Sequence, residues 1–432
     1  MSTPAGGSRA SARRVQSRTV RTLATAQVVG GVGAGAGLSV GALLVKEISG
    51  SSAWAGLATT MLTLGAAAGS LPLASLAARR GRRPSLTVGW LGAAAGAAVV
   101  MLAAHLDSLP LTLAGLLVCG LSTATNLQSR YAAADLAEPS NVGRSLSLVV
   151  WSTTIGAVLG PNLTGPGAQV AGVMGLPPLA GPFVFSAASF LGAALIMSLA
   201  LRPDPLLLAR EIAVAEESAA DAATRMAASA YGKSGWARSR AAIARSPGAL
   251  TGILAIACSH AVMVSVMAMT PVHMQDHGAT LSIVGLTISL HIAGMFALSP
   301  VMGWLSDRRG WRPTLVGGQL VLLAAALVAG TSRESNVQIS VGLVLLGVGW
   351  SASLIAGSAL VTQSVAIADR AGVQGIADLT MNLAGAGGGV LAGVVVAWLG
   401  FGSLNAAAAL LTIPVVARAL ATRGQQATAV DA

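Results

Sequence analysis

The chain has 432 residues, a formal net charge of +11, 54% hydrophobic residues and only 9% charged residues. An ordinary soluble domain carries about a quarter of its residues as charges, and so few cannot keep this much apolar chain in water. A soluble enzyme, a disordered chain and a disulfide scaffold are excluded, and a polytopic α-helical membrane protein is indicated.

In chain order, residues 1–22 carry five arginines and no acid. The apolar stretch 26–45 that follows is long enough to cross ~30 Å of hydrocarbon at ~1.5 Å per residue, so it reads as a retained first span rather than a cleaved leader. Further apolar runs lie at 53–77, 85–106, 109–129, 145–167 and 178–201. A polar stretch, 202–248, combines alanines with Arg210, Glu211, Glu216, Glu217, Asp221 and Arg225. It reads as a solvated helical tether, with a regulatory role as the alternative. Six more runs follow at 249–271, 280–304, 312–331, 337–361, 371–399 and 402–422, which makes twelve spans. The expected organisation is a cytoplasmic tail at 1–22, a six-helix bundle at 23–201, a linker at 202–248, a second six-helix bundle at 249–423 and a tail at 424–432. The two cysteines, Cys119 and Cys258, sit inside apolar runs, which argues against a disulfide or a thiolate metal site.

With the N-terminus in the cytoplasm, 24 of the 26 lysines and arginines fall on the inner side, leaving only Lys46 and Arg333 outside. This is the positive-inside pattern, and it places both termini in the cytoplasm. The basic charge is thus dispersed over short loops facing anionic lipid, and a nucleic-acid surface is not supported.

The loops after the second and eighth spans match. The first reads Ala74-Ser-Leu-Ala-Ala-Arg79-Arg-Gly81-Arg-Arg83-Pro84, and the second Gly303-Trp-Leu-Ser-Asp307-Arg308-Arg-Gly310-Trp-Arg312-Pro313. Gly81 and Gly310 lie 229 residues apart, and the same offset relates Gly156 and Gly160 to Gly385 and Gly389. One offset for two separate features indicates a tandem duplication, as in transporters built from parallel repeats.

Gly303-x-x-x-Asp307-Arg308-x-Gly310-x-Arg312 resembles the cytoplasmic loop signature of the major facilitator superfamily. The first copy departs from it, with Ala74 for glycine and Ala78 for aspartate. The resemblance implies an all-α membrane protein of twelve transmembrane helices in two pseudo-symmetric six-helix bundles, the major facilitator fold. It also implies that the loop is a latch that breaks and remakes as the halves rock. Locally, Gly310 permits a tight turn and the arginines hold it at the cytoplasmic face. Asp307 can accept from those arginines or approach a neighbouring helix N-terminus. Ala78 removes the acid from the first copy, so Arg79, Gly81 and Arg83 read there as an anchor.

The fifth span carries Gly156-x-x-x-Gly160-Pro161-x-x-x-Gly165. Its small faces allow close helix approach, and Pro161 favours a bend. This resembles the helix 5 signature of proton-coupled antiporters in the superfamily, with Thr164 in place of one glycine and Ser147 in place of an upstream one. The resemblance implies antiport and export; generic packing is the alternative.

Ionisable groups at membrane depth are costly and mark function. Asp378, with Asn382 one turn on, is a candidate proton carrier, or else a cytoplasm-facing cap or a partner for a loop arginine. His260 and His291, at similar depth, are further proton-coupling candidates, with hydrogen-bonded packing as the alternative. Gln128, Arg130 and Gln363 are polar candidates for the cavity mouth, Arg130 reading as a snorkelling residue. His273, Asp276 and His277 read as an external loop, accidental or weakly metal-attracting, and no metal site is predicted. No catalytic constellation and no P-loop lysine motif is present, so the chain reads as a non-enzyme with no cofactor, driven by the proton gradient. The expected function is proton antiport of a small-molecule substrate, a drug or toxic metabolite, by a monomer in the lipid bilayer of the plasma (inner) membrane. Proton-coupled uptake and a non-transporting sensor with the same fold are the alternatives.

Overall fold

A computed structural model describes residues 4–50, 54, 56–216, 235–332 and 335–421. Arg333, the middle of the linker and the expected tail at 424–432 lie outside them.

The first six membrane helices are α1 (Pro4–Ser49), α2 (Leu57–Arg80), α3 (Arg82–His105), α4 (Leu109–Ala132), α5 (Pro139–Met174) and α6 (Gly181–Ala200). Two short helices, Pro205–Glu216 and Gly235–Arg245, belong to the linker. Then come α7 (Pro247–Asp276), α8 (Leu281–Phe296 continued by Ser299–Arg309), α9 (Trp311–Gly330) and α10 (Asn336–Gln363). A last helical run, Ile367–Ala421, is 55 residues long. At ~1.5 Å per residue that is about twice what a bilayer needs. It breaks at Gly400, whose φ of 81° lies outside the helical region, into α11 (367–399) and α12 (401–421). The all-helical fold with twelve crossings therefore stands.

Two boundaries differ from the sequence reading. α1 starts at Pro4, well before the apolar stretch, because residues 5–25 hold no helix breaker beyond two early glycines. This amphipathic entry is fastened to the end of α4, where Gln16 Nε2 donates to the Ala133 carbonyl at 2.6 Å. His273 lies within α7 rather than in a loop and stacks on Phe401, with ring centroids 4.2 Å apart.

The turns after α2 and α8 are single glycines. Gly81 (φ 92°) and Gly310 (φ 89°) occupy a region that side chains disfavour, which lets two long helices reverse with no loop.

The helices form two compact units. One comprises Met1–Glu138, Ile155–Ser246 and Thr362–Asp378; the other comprises Pro139–Thr154, Pro247–Val361 and Leu379–Ala432. In the second, a core of Ala255, Trp311, Leu315, Ala356, Leu360, Val415 and Ala419 joins α7, α9, α10 and α12. Large apolar side chains such as Val390, Leu391, Trp398 and Leu399 are exposed on α11, as a helix facing hydrocarbon requires.

Candidate functional site

Two buried ion pairs dominate the first unit. Arg130, near the end of α4, donates through Nη2 to Asp378 Oδ1 of α11 at 2.7 Å, and the two side chains are 1% and 0% exposed. The guanidinium also lies 4.5 Å from the Tyr131 ring centroid and donates to its hydroxyl at 3.3 Å. Arg130 therefore does not snorkel. It turns inward because a carboxylate from a helix 248 residues away supplies the charge partner that sequence proximity did not.

The second pair joins Arg82, at the start of α3, to Asp135 just past α4. Nε and Nη2 reach the two carboxylate oxygens at 2.7 and 3.1 Å, a bidentate fork that suits guanidinium geometry. Arg82 Nη2 also donates to Gln374 Oε1 of α11, and Gln374 Nε2 donates to Thr362 Oγ1 at 3.2 Å. The network thus ties α3 and α4 to the start of α11. Gln128, two residues before Arg130, donates to the Ser70 carbonyl of α2 at 3.1 Å.

Sequence reasoning missed Arg82, Asp135 and Gln374. Arg82 stands among Arg79, Arg80 and Arg83, and nothing in that run marks the buried one. One signal was available: its repeat counterpart, 229 residues on, is Trp311, so this arginine is not a feature of both copies.

In the second unit, Asp307 accepts from the backbone N–H groups of Gly143 and Arg144, each at 2.7 Å. These are first-turn donors of the α-helical part of α5, Val142–Leu159, and the carboxylate meets the positive end of the helix. Gly303, one turn earlier, packs directly on Gly143 and Ser147 of α5, where a Cβ would collide. Arg308 stacks on Trp304 and Arg312 on Trp311, each 5.3 Å from the ring centroid, leaving Asp307 to the helix end. In the first copy, Arg79 is exposed and Arg83 half-buried.

α5 touches α1 backbone to backbone. A Cβ on Gly156 would strike Gly31, and one on Gly160 would strike Gly35. Pro161 has no N–H, and the chain passes through a 3-10 turn, Gly160–Leu163, before resuming as helix at Thr164. Gly165 faces open space. The 229-residue offset carries these contacts onto the second half: Gly385 faces His260, and Gly389 faces Val264. His260 therefore occupies the position that Gly31 holds in the first half.

The three proton-coupling candidates have separate partners. Asp378 takes Arg130. His260 accepts at Nδ1 from Trp350 Nε1 at 3.1 Å, which puts the proton of the neutral ring on Nε2. Phe296 meets the same tryptophan edge-on, with centroids 5.9 Å apart. His291, fully buried, donates from Nδ1 to the Leu343 carbonyl at 2.7 Å, and its Nε2 has no partner among the described residues. Asn382 is buried, and Gln363 is exposed at the end of α10. The rings of His273 and His277 lie 4.3 Å apart, with no third metal ligand beside them among the described residues.

Twelve apolar helices in two repeat-related halves, with two buried ion pairs in the first unit, are the architecture of a multi-pass membrane transporter. The family model for the Major Facilitator Superfamily matches residues 23–277 and 251–429, and the chain belongs to that family. It is 40% identical over 403 residues to the MFS-type transporter YddS of Bacillus subtilis, covering 92% of this chain and 90% of that one. A second B. subtilis transporter of this type, YdeG, is 38% identical over 403 residues, 92% and 91% of the two chains. Among solved structures, the human organic anion transporter MFSD10 (TETRAN) superposes with a TM-score of 0.72 at 18% identity, covering 94% of this chain and 99% of its own, a likeness of fold.

Proposed function

We propose that this transporter exports small organic compounds, drugs or toxic metabolites, in exchange for protons. It works by alternating access as a monomer in the plasma (inner) membrane, with both termini cytoplasmic, and needs no cofactor beyond the proton gradient. The buried Arg130–Asp378 pair carries the reading. While Asp378 is ionised, it holds α4 to α11. A proton on Asp378 removes the attraction, and the two helix ends are free to part. Asp307 acts as a latch on α5 through the helix end it caps, with Gly303, Arg308, Gly310 and Arg312 shaping its turn. The bent glycine seam of α5 on α1 supports antiport, because it keeps the features by which this helix resembles that of proton-coupled exporters. One proton moving down ~100 mV supplies about 2.3 kcal/mol, enough for roughly a fifty-fold substrate gradient.

The test uses inside-out vesicles with an imposed proton gradient and a panel of cationic dyes and antibiotics. Substrate-dependent dissipation of the gradient, absent from control vesicles, is the expected result. Asp378→Asn should abolish gradient-driven accumulation while substrate still exchanges across the membrane. Full gradient-driven transport by that variant would remove Asp378 from the proton path, and a silent panel would remove drug export.

A further inference from the structure

The two copies of the loop motif are built differently, and the linker fills the difference. In the second copy, Gly310 faces open space, and Asp307 reaches the neighbouring helix beside the contact of Gly303 with Gly143 and Ser147. In the first copy, the acid is replaced by Ala78. The α-helix of α11 also starts at Ile367, four residues earlier in the repeat register than the α-helical part of α5, which starts at Val142 after a 3-10 turn, so Gly372 lies well inside the helix. An aspartate at 78 would find no first-turn N–H there to accept.

The linker occupies that corner instead. Asp204 lies against Gly81, where a Cβ would strike its carboxylate. It accepts from the Arg83 N–H at 2.7 Å and caps the helix Pro205–Glu216 through Leu206 and Leu207. Arg210 Nη1 donates to the Ala78 carbonyl at 2.8 Å, at the residue that lacks its acid. Leu206 forms a buried cluster with Ala77 of α2 and Ala371 of α11. The second linker helix reaches the same end of α11: Arg238 pairs with Asp369 at 2.9 Å, and Ser239 fills the space beside Gly372.

We propose that the linker is the latch of the first half. Its two helices hold the ends of α2 and α3 to the start of α11, the task that Asp307 and the Gly303 contact perform between α8 and α5. This rests on the reading of Asp307 as a latch under alternating access. The exposed Arg238–Asp369 pair contributes little alone; the apolar cluster and the bond to the Ala78 carbonyl do most of the holding.

The test reads opening without any substrate. In a Cys119→Ala/Cys258→Ala background, single reporters Ser70→Cys and Ser299→Cys are placed at repeat-related positions. Ser70 is buried where α2 meets Gly375 of α11, and Ser299 is buried against the Ser147 carbonyl of α5. The membrane-permeant reagent N-ethylmaleimide is applied to membranes, and variants are confirmed monodisperse in detergent. Leu206→Ala/Arg210→Ala should raise alkylation of both reporters about five-fold or more. The milder break, Arg238→Glu, should raise both in the same direction by less. Unchanged rates in both breaks would overturn the latch. A rise confined to the Ser70 reporter would also overturn it, because it reports local fraying. Failure of proton coupling appears in the vesicle assay and leaves these alkylation rates untouched, so the two ideas fail separately.

Discussion

At the scale of residues, the Arg130–Asp378 pair is held by geometry that neither partner can replace alone. Breaking a buried pair by removing one member costs about 3–5 kcal/mol, because the other charge is left uncompensated. Arg130→Gln and Asp378→Asn should each lower the heat-unfolding midpoint in detergent by several degrees. The double variant should lose less than either single one, since both charges leave together, with a coupling of ~0.5–3 kcal/mol. Additive losses would mean that the pair is held apart by water or by other partners. The same measurement guards the transport assay, because a stable double variant shows that loss of coupling is not loss of fold. Both members of this pair were legible in the sequence as polar candidates, Asp378 at membrane depth and Arg130 at the cavity mouth, but their pairing was not. Asp378 has no cation near it in the chain, and Arg130 looked like a helix-end residue reaching for water. Arg82 and Asp135 were less legible still, because one sequence cannot tell which of four neighbouring arginines turns inward.

At the scale of elements, the glycines of α5 and α11 look alike in sequence and differ in what they touch. On α5, an added methyl at Gly156 would strike backbone of α1, and backbone cannot move aside without shifting the helix. On α11, the methyl at Gly385 would meet the His260 ring, whose rotamer can adjust. At Gly165 it would meet nothing, and alanine is the better helix former by ~1 kcal/mol. Gly156→Ala should therefore cost about 1–3 kcal/mol by overpacking, Gly385→Ala less, and Gly165→Ala nothing or a slight gain. Heat-unfolding midpoints of the three variants check the order. Equal losses at 156 and 165 would mean that the seam on α1 loosens freely. The glycine pattern was readable as close packing, but the distinction between the copies was not. It depends on Gly31 standing where its repeat counterpart is His260, and only the assembled helices show that those positions face Gly156 and Gly385.

At the scale of the whole molecule, hydropathy alone recovered the twelve crossings, because a bilayer forces each to be a long apolar helix and charges to gather between them. It also recovered the duplication, through glycines at a constant offset. It did not recover the linker's attachment, since a polar, alanine-rich stretch has the same composition whether it is solvated or docked. The parity of the crossings fixes where each end of the chain lies, and that parity turns on whether the last helical run breaks. If the helix ran unbroken through Gly400, the chain would cross eleven times and its ends would lie on opposite faces. With the break, α11 and α12 cross separately and both ends share a face. The distribution of basic residues favours the second arrangement, and the proposed orientation puts the α9–α10 connection outside and Arg418 at the inner end of α12. Alkaline phosphatase fused after Ser335 should therefore be active outside the cell. The same enzyme fused after Ala432 should be silent, and a green fluorescent protein there should fluoresce. An active phosphatase at the C-terminus would mean that α11 and α12 cross as one. Inserting a helix-favouring Ala at Gly400 tests the cause directly. At a φ of 81° alanine is strained by about 1–2 kcal/mol, so Gly400→Ala should lower the amount of folded protein while leaving both fusion readouts unchanged. The apolar length on either side of the turn, not the glycine itself, obliges the chain to cross twice.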